Sequence, residues 1–144
     1  MKKQTLDILH RYRKHLLEQA QMAIVDRLAE ENTQKVRLLQ LQQRIAQMHE
    51  AKLRATSSAD LMSLDEAATY LNSRMTMAQR ALALARTARE DAVALVLQLK
   101  KERDQVGLLL ENNRRERARE QDEAERNQLN ELATARYAMA TAGL

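Results

Sequence analysis

Apolar residues between positions 64 and 110 fall at alternating spacings of four and three. One series is Leu64, Leu71, Ala78, Ala85, Ala92, Leu99 and Val106. The other is Ala68, Met75, Leu82, Arg89, Val96, Arg103 and Leu110. Twelve of these fourteen positions are apolar. A repeat of this kind keeps one stripe of a helix against a partner helix and drives a left-handed supercoil. The narrow Ala78, Ala85, Ala92 run lets the partner approach closely.

An earlier stretch carries a less regular stripe: Leu9, Leu16, Leu17, Ala20, Ile24 and Leu28, then Leu38, Leu41, Ile45, Met48 and Lys52. Glu31, Asn32, Gln34 and Lys35 interrupt it, and a polar patch in a seam costs stability while fixing register. Between the two stretches, residues 56–62 cluster small polar side chains. Directly after them, Ser63-Leu64-Asp65-Glu66 reads as a capping box, with Asp65 and Glu66 suited to the positive end of a helix dipole. The pattern predicts helix one at about 5–55, a turn at 56–62 and helix two at about 63–141. A short connection makes two such helices antiparallel neighbours. The expected fold class is therefore all-α, with residues 1–144 forming a single coiled-coil hairpin whose second helix extends past the first. Folding at about residue 60 pairs Leu53 with Ala67, Leu41 with Ala78 or Gln79, and Ile24 with Val96.

Two stretches fall outside this seam. Residues 111–128 are almost wholly polar, with opposite charges at helical spacing that support a solvated helix through many weak pairs. Beyond them Leu129, Leu132, Ala133, Tyr137, Met139 and Ala140 form an apolar patch with no partner in the hairpin. Such a tail is expected to become ordered on another protein. On helix two, Tyr70, Met77 and Leu84 recur every seven residues about 130° from the seam, flanked by Arg74 and Ala81. Burial in the hairpin does not account for them. An exposed apolar stripe marks a contact surface, and scattered surface side chains are the competing reading.

Composition sharpens the picture. The chain lacks Pro, Cys, Trp and Phe and has only two glycines, so helix breakers are nearly absent. Without cysteine there is no disulfide or thiolate chemistry. The longest apolar run, Ala92 to Leu97, is far short of the roughly 20 residues a membrane span needs, and direct membrane insertion is not expected. No signal peptide is seen after Lys2 and Lys3. Of the net charge of +4, all resides in residues 1–17, where Lys2, Lys3, Arg11, Arg13 and Lys14 oppose Asp7 alone. A basic end attracts an acidic protein surface, a lipid headgroup or nucleic acid; a solvated helix end is the alternative.

Catalytic chemistry is not in view. His10, His15 and His49 lack metal-ligand spacing, and no Gly-rich phosphate loop or oriented nucleophile is present. The expected cofactor and metal set is empty, and the reading is non-enzymatic.

Both ends of the chain carry a family resemblance. Leu6-Asp7-Ile8-Leu9-His10-Arg11-Tyr12-Arg13, followed by Glu18, Ala20 and Leu28, resembles the opening of the FliJ-type proteins of flagellar export. Arg115-Glu116-Arg117-Ala118-Arg119-Glu120, followed by Asn127-Gln128-Leu129-Asn130-Glu131-Leu132-Ala133, is similar to that family's charged C-terminal helix. Asn130 departs from the Asp common there. The resemblance implies a cytoplasmic stalk of a type III export machine, peripheral to the inner membrane, similar to the coiled coil of the rotary-ATPase gamma subunit. It implies that the termini end enters the pore of the hexameric export ATPase. On this chain that end offers Arg11, Arg13, Lys14, Arg115, Arg117, Leu129 and Leu132. It also implies that a surface nearer the turn contacts the cytoplasmic domain of the export-gate protein, for which Tyr70, Arg74, Met77, Ala81 and Leu84 are the candidates. Escort of export chaperones belongs to the same expectation. Two other readings stay open: a structural homo-oligomeric coiled coil with no export role, and a nucleic-acid-binding zipper. The zipper needs a solid basic block, and the near-neutral residues 111–128 make nucleic acid an unexpected partner.

Overall fold

A computed structural model describes residues 2–143 of the chain. It contains two helices, α1 (Lys3–Arg54) and α2 (Ser58–Ala142), which pack against each other as an antiparallel hairpin. By contacts the chain divides into two units, one of Leu16–Leu99 and one of the residues up to His15 with those from Lys100 onward.

The Leu16–Leu99 unit holds the turn, and here the structure corrects the sequence reading. α2 begins at Ser58, not Ser63. The cap is Ser57: its hydroxyl accepts from the Asp60 amide at 3.2 Å, and its carbonyl accepts from the Leu61 amide at 3.2 Å. Ser57 and Asp60 form their own Ser-x-x-acid signature six residues before the one at Ser63. No residue between them opposes helix, so the earlier cap initiates and Ser63 is simply helical. The connection is thus Ala55–Ser57.

A shorter connection shifts the pairing near the turn. Lys52 Nζ binds Asp65 Oδ1 at 2.6 Å, so Lys52 occupies the seam and Asp65 serves as its partner. Leu53, expected to face Ala67, is 87% exposed. Farther from the turn the expected register holds. Leu41, Leu71 and Ala78 form one buried cluster, with Leu38, Ile45 and Met48 against it. Leu17, Ala20 and Val96 form a second, joined by Ile24 and Leu99.

Between these clusters lies a polar layer. The residues that interrupt the stripe of α1 do not lie outside the seam: Glu31 is only 5% exposed and Gln34 is also buried. Arg89 Nε donates to Glu31 Oε2, while Lys35 Nζ and Arg86 Nε lie 3.4 and 3.7 Å from Oε1. Gln34 Nε2 donates to Glu30 Oε1 at 2.8 Å. The break in one stripe therefore meets the arginine in the other. Leu28, expected in the seam, is 48% exposed, and the neighbouring Arg27 is exposed as well.

In the other unit Leu6 and Val106 are buried. Arg13 Nη1 donates to Glu102 Oε2 at 2.6 Å across the pair. Arg103, the second seam arginine, instead binds the adjacent Asp104 at 3.0 Å. All fourteen seam positions read from α2 are buried or half-buried. From Arg114 onward every described residue is exposed, so this part of α2 runs without a partner helix.

Candidate functional site: two exposed helical surfaces

Tyr70, Met77 and Leu84 are all exposed on α2. Seven residues is two turns, about 10.5 Å of helix, which places them in line. α1 supplies the opposite wall. Arg37, Gln40 and Arg44 together with Tyr70, Arg74, Met77 and Ala81 border a groove of about 350 Å³. Buried Leu41, Leu71 and Ala78 form its floor. The Arg74 guanidinium sits over the Tyr70 ring, 5.8 Å from its centroid, in cation–π contact.

Four of the five residues proposed for this surface thus line one groove. Leu84 lies in a neighbouring depression with Arg27, Glu30 and Gln34, joined to the first through Ala81. On the turn side a further depression shares Arg44, Tyr70 and Leu71. Sequence reasoning missed the α1 wall altogether. A signal existed: Arg37 and Arg44 are seven apart and bracket Leu41, itself a seam residue.

The residues proposed for the termini end separate into distinct settings. Arg11 and Lys14 are exposed and make no ion pair among the described residues. Arg13 is committed to Glu102. Arg115 lies 3.5 Å from Glu111, which Arg114 also binds at 2.8 Å. Arg117 borders a cleft with Lys3, Asp7, His10 and Arg114. Leu129 and Leu132 are exposed, as are Tyr137 and Met139. Leu129 follows Arg117 by twelve residues, about 18 Å along one helix. Arg117 and Lys3 are therefore brought to one cleft, whereas Arg11, Lys14 and Leu129 are not part of it.

One carboxyl is clearly shifted. Burial in the seam pushes Glu31 up, but the hydrogen bond and charge of Arg89, then those of Lys35, outweigh it and hold the group below the usual carboxylate range. The layer is charged at neutral pH; its Glu30 and Gln34 border the Leu84 depression, whereas Glu31 and Arg89 do not.

No described helix is long and apolar enough to cross a membrane. Comparison with curated proteins and with solved structures finds no match. A family model, Flagellar FliJ protein, matches residues 1–141. With a hairpin of two unequal helices and a match over nearly the whole chain, this protein belongs to the flagellar FliJ family.

Proposed function

We propose that the chain is a non-enzymatic, cytoplasmic adaptor stalk of a flagellar protein-export apparatus. Family membership supports the flagellar export assignment. In this reading the termini end enters the hexameric export ATPase, the Tyr70 face meets the cytoplasmic domain of the export gate, and export chaperones are further partners. The observation that carries it is the unpartnered stretch of α2. Residues from Arg114 onward are exposed on every side, yet hold Leu129, Leu132, Tyr137 and Met139. An apolar stripe on a helix without a neighbour is a surface for another protein.

The test is capture of the hexameric export ATPase by the full chain, with ATP hydrolysis as a second readout. Binding and stimulation by the wild type are expected, and their joint absence removes the reading. Arg11→Glu with Lys14→Glu, and separately Leu129→Ser with Leu132→Ser, should weaken both while helicity stays intact. Arg13 is a poor probe because reversing it also breaks the pair with Glu102. Unchanged coupling in both variants discards the site assignment.

A specific observation favours a second reading, a homo-oligomer. Met22, Val25, Val36 and Leu39 are exposed on α1, and 22/36 and 25/39 are separated by two heptads. A monomeric mass across a wide concentration range removes it.

A further inference from the structure

The groove between Arg37 and Tyr70 has a one-sided charge. Three guanidinium groups, Arg37, Arg44 and Arg74, stand on its rims, and no carboxylate borders it. Arg37 and Arg44 are exposed and make no ion pair among the described residues. Among the described residues Arg74 is engaged only with the face of Tyr70. Elsewhere three arginines near a seam find acids: Arg89 has Glu31, Arg13 has Glu102, and Arg103 has Asp104. Here cationic rims enclose an apolar strip of Leu41, Tyr70 and Met77.

We infer that this groove takes an acidic amphipathic helical segment of another protein, apolar on the face laid into it and bearing carboxylates on its edges. The geometry sets the spacing. Arg37 and Arg44 are two turns apart, about 10.5 Å, and so are Tyr70 and Met77. A helix lying along the groove meets them with apolar side chains at i, i+3 or i+4 and i+7. Asp or Glu two turns apart on one edge reach Arg37 and Arg44, and one carboxylate on the other edge reaches Arg74. Guanidinium groups favour this occupant because their planar fork binds carboxylates bidentately. A flat anionic surface would satisfy the arginines but leave the recessed Leu41–Leu71 floor uncovered. This inference rests on the proposed gate-facing role of the same surface and adds the chemistry of the segment recognised there.

The experiment uses the full chain and three fluorescent helical peptides with one apolar face and Glu, Gln or Lys at the edge positions. Anisotropy should show the Glu peptide binding, the Gln peptide about ten-fold weaker, and the Lys peptide not at all. Binding of the Glu peptide should fall as salt rises. The triple variant Arg37→Gln, Arg44→Gln, Arg74→Gln should lose about ten-fold or more in affinity, with helicity and urea midpoint unchanged. No binding of the Glu peptide, equal binding of Glu and Gln peptides, or an unaffected triple variant overturns the inference. So does tighter, arginine-dependent capture by vesicles of acidic phospholipid. The purified cytoplasmic domain of the gate separates the two readings. If it binds through Tyr70 and Met77 but ignores salt and the triple variant, the gate assignment stands and this inference fails. If the Glu peptide binds and the gate domain does not, the groove chemistry stands and the gate assignment fails.

Discussion

Arg89 donates from Nε to Glu31 Oε2 across the hairpin, joining residues 58 apart in sequence. The Glu31 side chain is nearly inaccessible, whereas that of Arg89 is one-third exposed. The pair is therefore asymmetric. Removing the arginine leaves a buried carboxylate with only the longer contacts to Lys35 and Arg86, while removing the glutamate leaves a guanidinium that can turn toward water. Arg89→Leu should lower the urea midpoint more than Glu31→Leu. The double Leu variant should regain much of the loss, since an apolar layer replaces an ionic one. Circular dichroism at equilibrium measures all four proteins. A double variant less stable than either single one contradicts this account.

The same carboxyl gives the hairpin an acid sensitivity of defined sign. Its folded-state pKa lies below the ordinary value, so the unfolded chain takes up a proton first as pH falls. The stabilisation is fully present above the ordinary Glu value of about 4.3. It is lost as pH falls from there through the lowered folded value. Glu31→Gln should flatten the stability–pH curve in that window and leave its neutral-pH slope unchanged. A curve of unaltered shape would assign the acid sensitivity to other carboxylates.

Gly107 lies inside α2 without a positive φ. A Cβ added there would meet His10 Nε2 at 3.8 Å, an ordinary contact. Gly107→Ala should stabilise by about 0.5–1 kcal/mol through helix propensity alone. A loss of stability in thermal melts would mean that the backbone there is held closer than the geometry allows.

The start of α2 is open to a paired comparison. Ser57→Ala removes the hydroxyl that caps Asp60 and should cost about 0.5–2 kcal/mol. Ser63→Ala, within the helix, should lie within about 0.5 kcal/mol of wild type, as exposed substitutions do. Equal losses at the two serines would return the cap to Ser63.

The heptad of α2 was fully readable because it has few exceptions, and its two exceptions are arginines with long stems that reach acids. The stripe of α1 is less legible for a physical reason. Periodicity analysis treats Glu31 and Gln34 as breaks, whereas a seam accepts them once a cation arrives from the other helix. Which cation arrives depends on register, and register depends on where the chain turns. Two capping signatures stand six residues apart, and taking the second, at Ser63, as the start of α2 displaces the pairing of Leu53. On the exposed surfaces, a single-helix stripe revealed Tyr70, Met77 and Leu84. The opposing Arg37 and Arg44 needed the folded hairpin, since nothing local ties residue 37 to residue 74.

The unsupported length of α2 also has a practical consequence. Arg115, Arg117, Arg119, Arg126 and Arg136 are exposed where no partner helix covers α2, so this stretch opens readily. Trypsin should trim this stretch first and halt where α1 begins to shield the backbone. A bound occupant would announce itself on a gel as delayed trimming, so the chain carries a built-in footprint for whichever protein grips it.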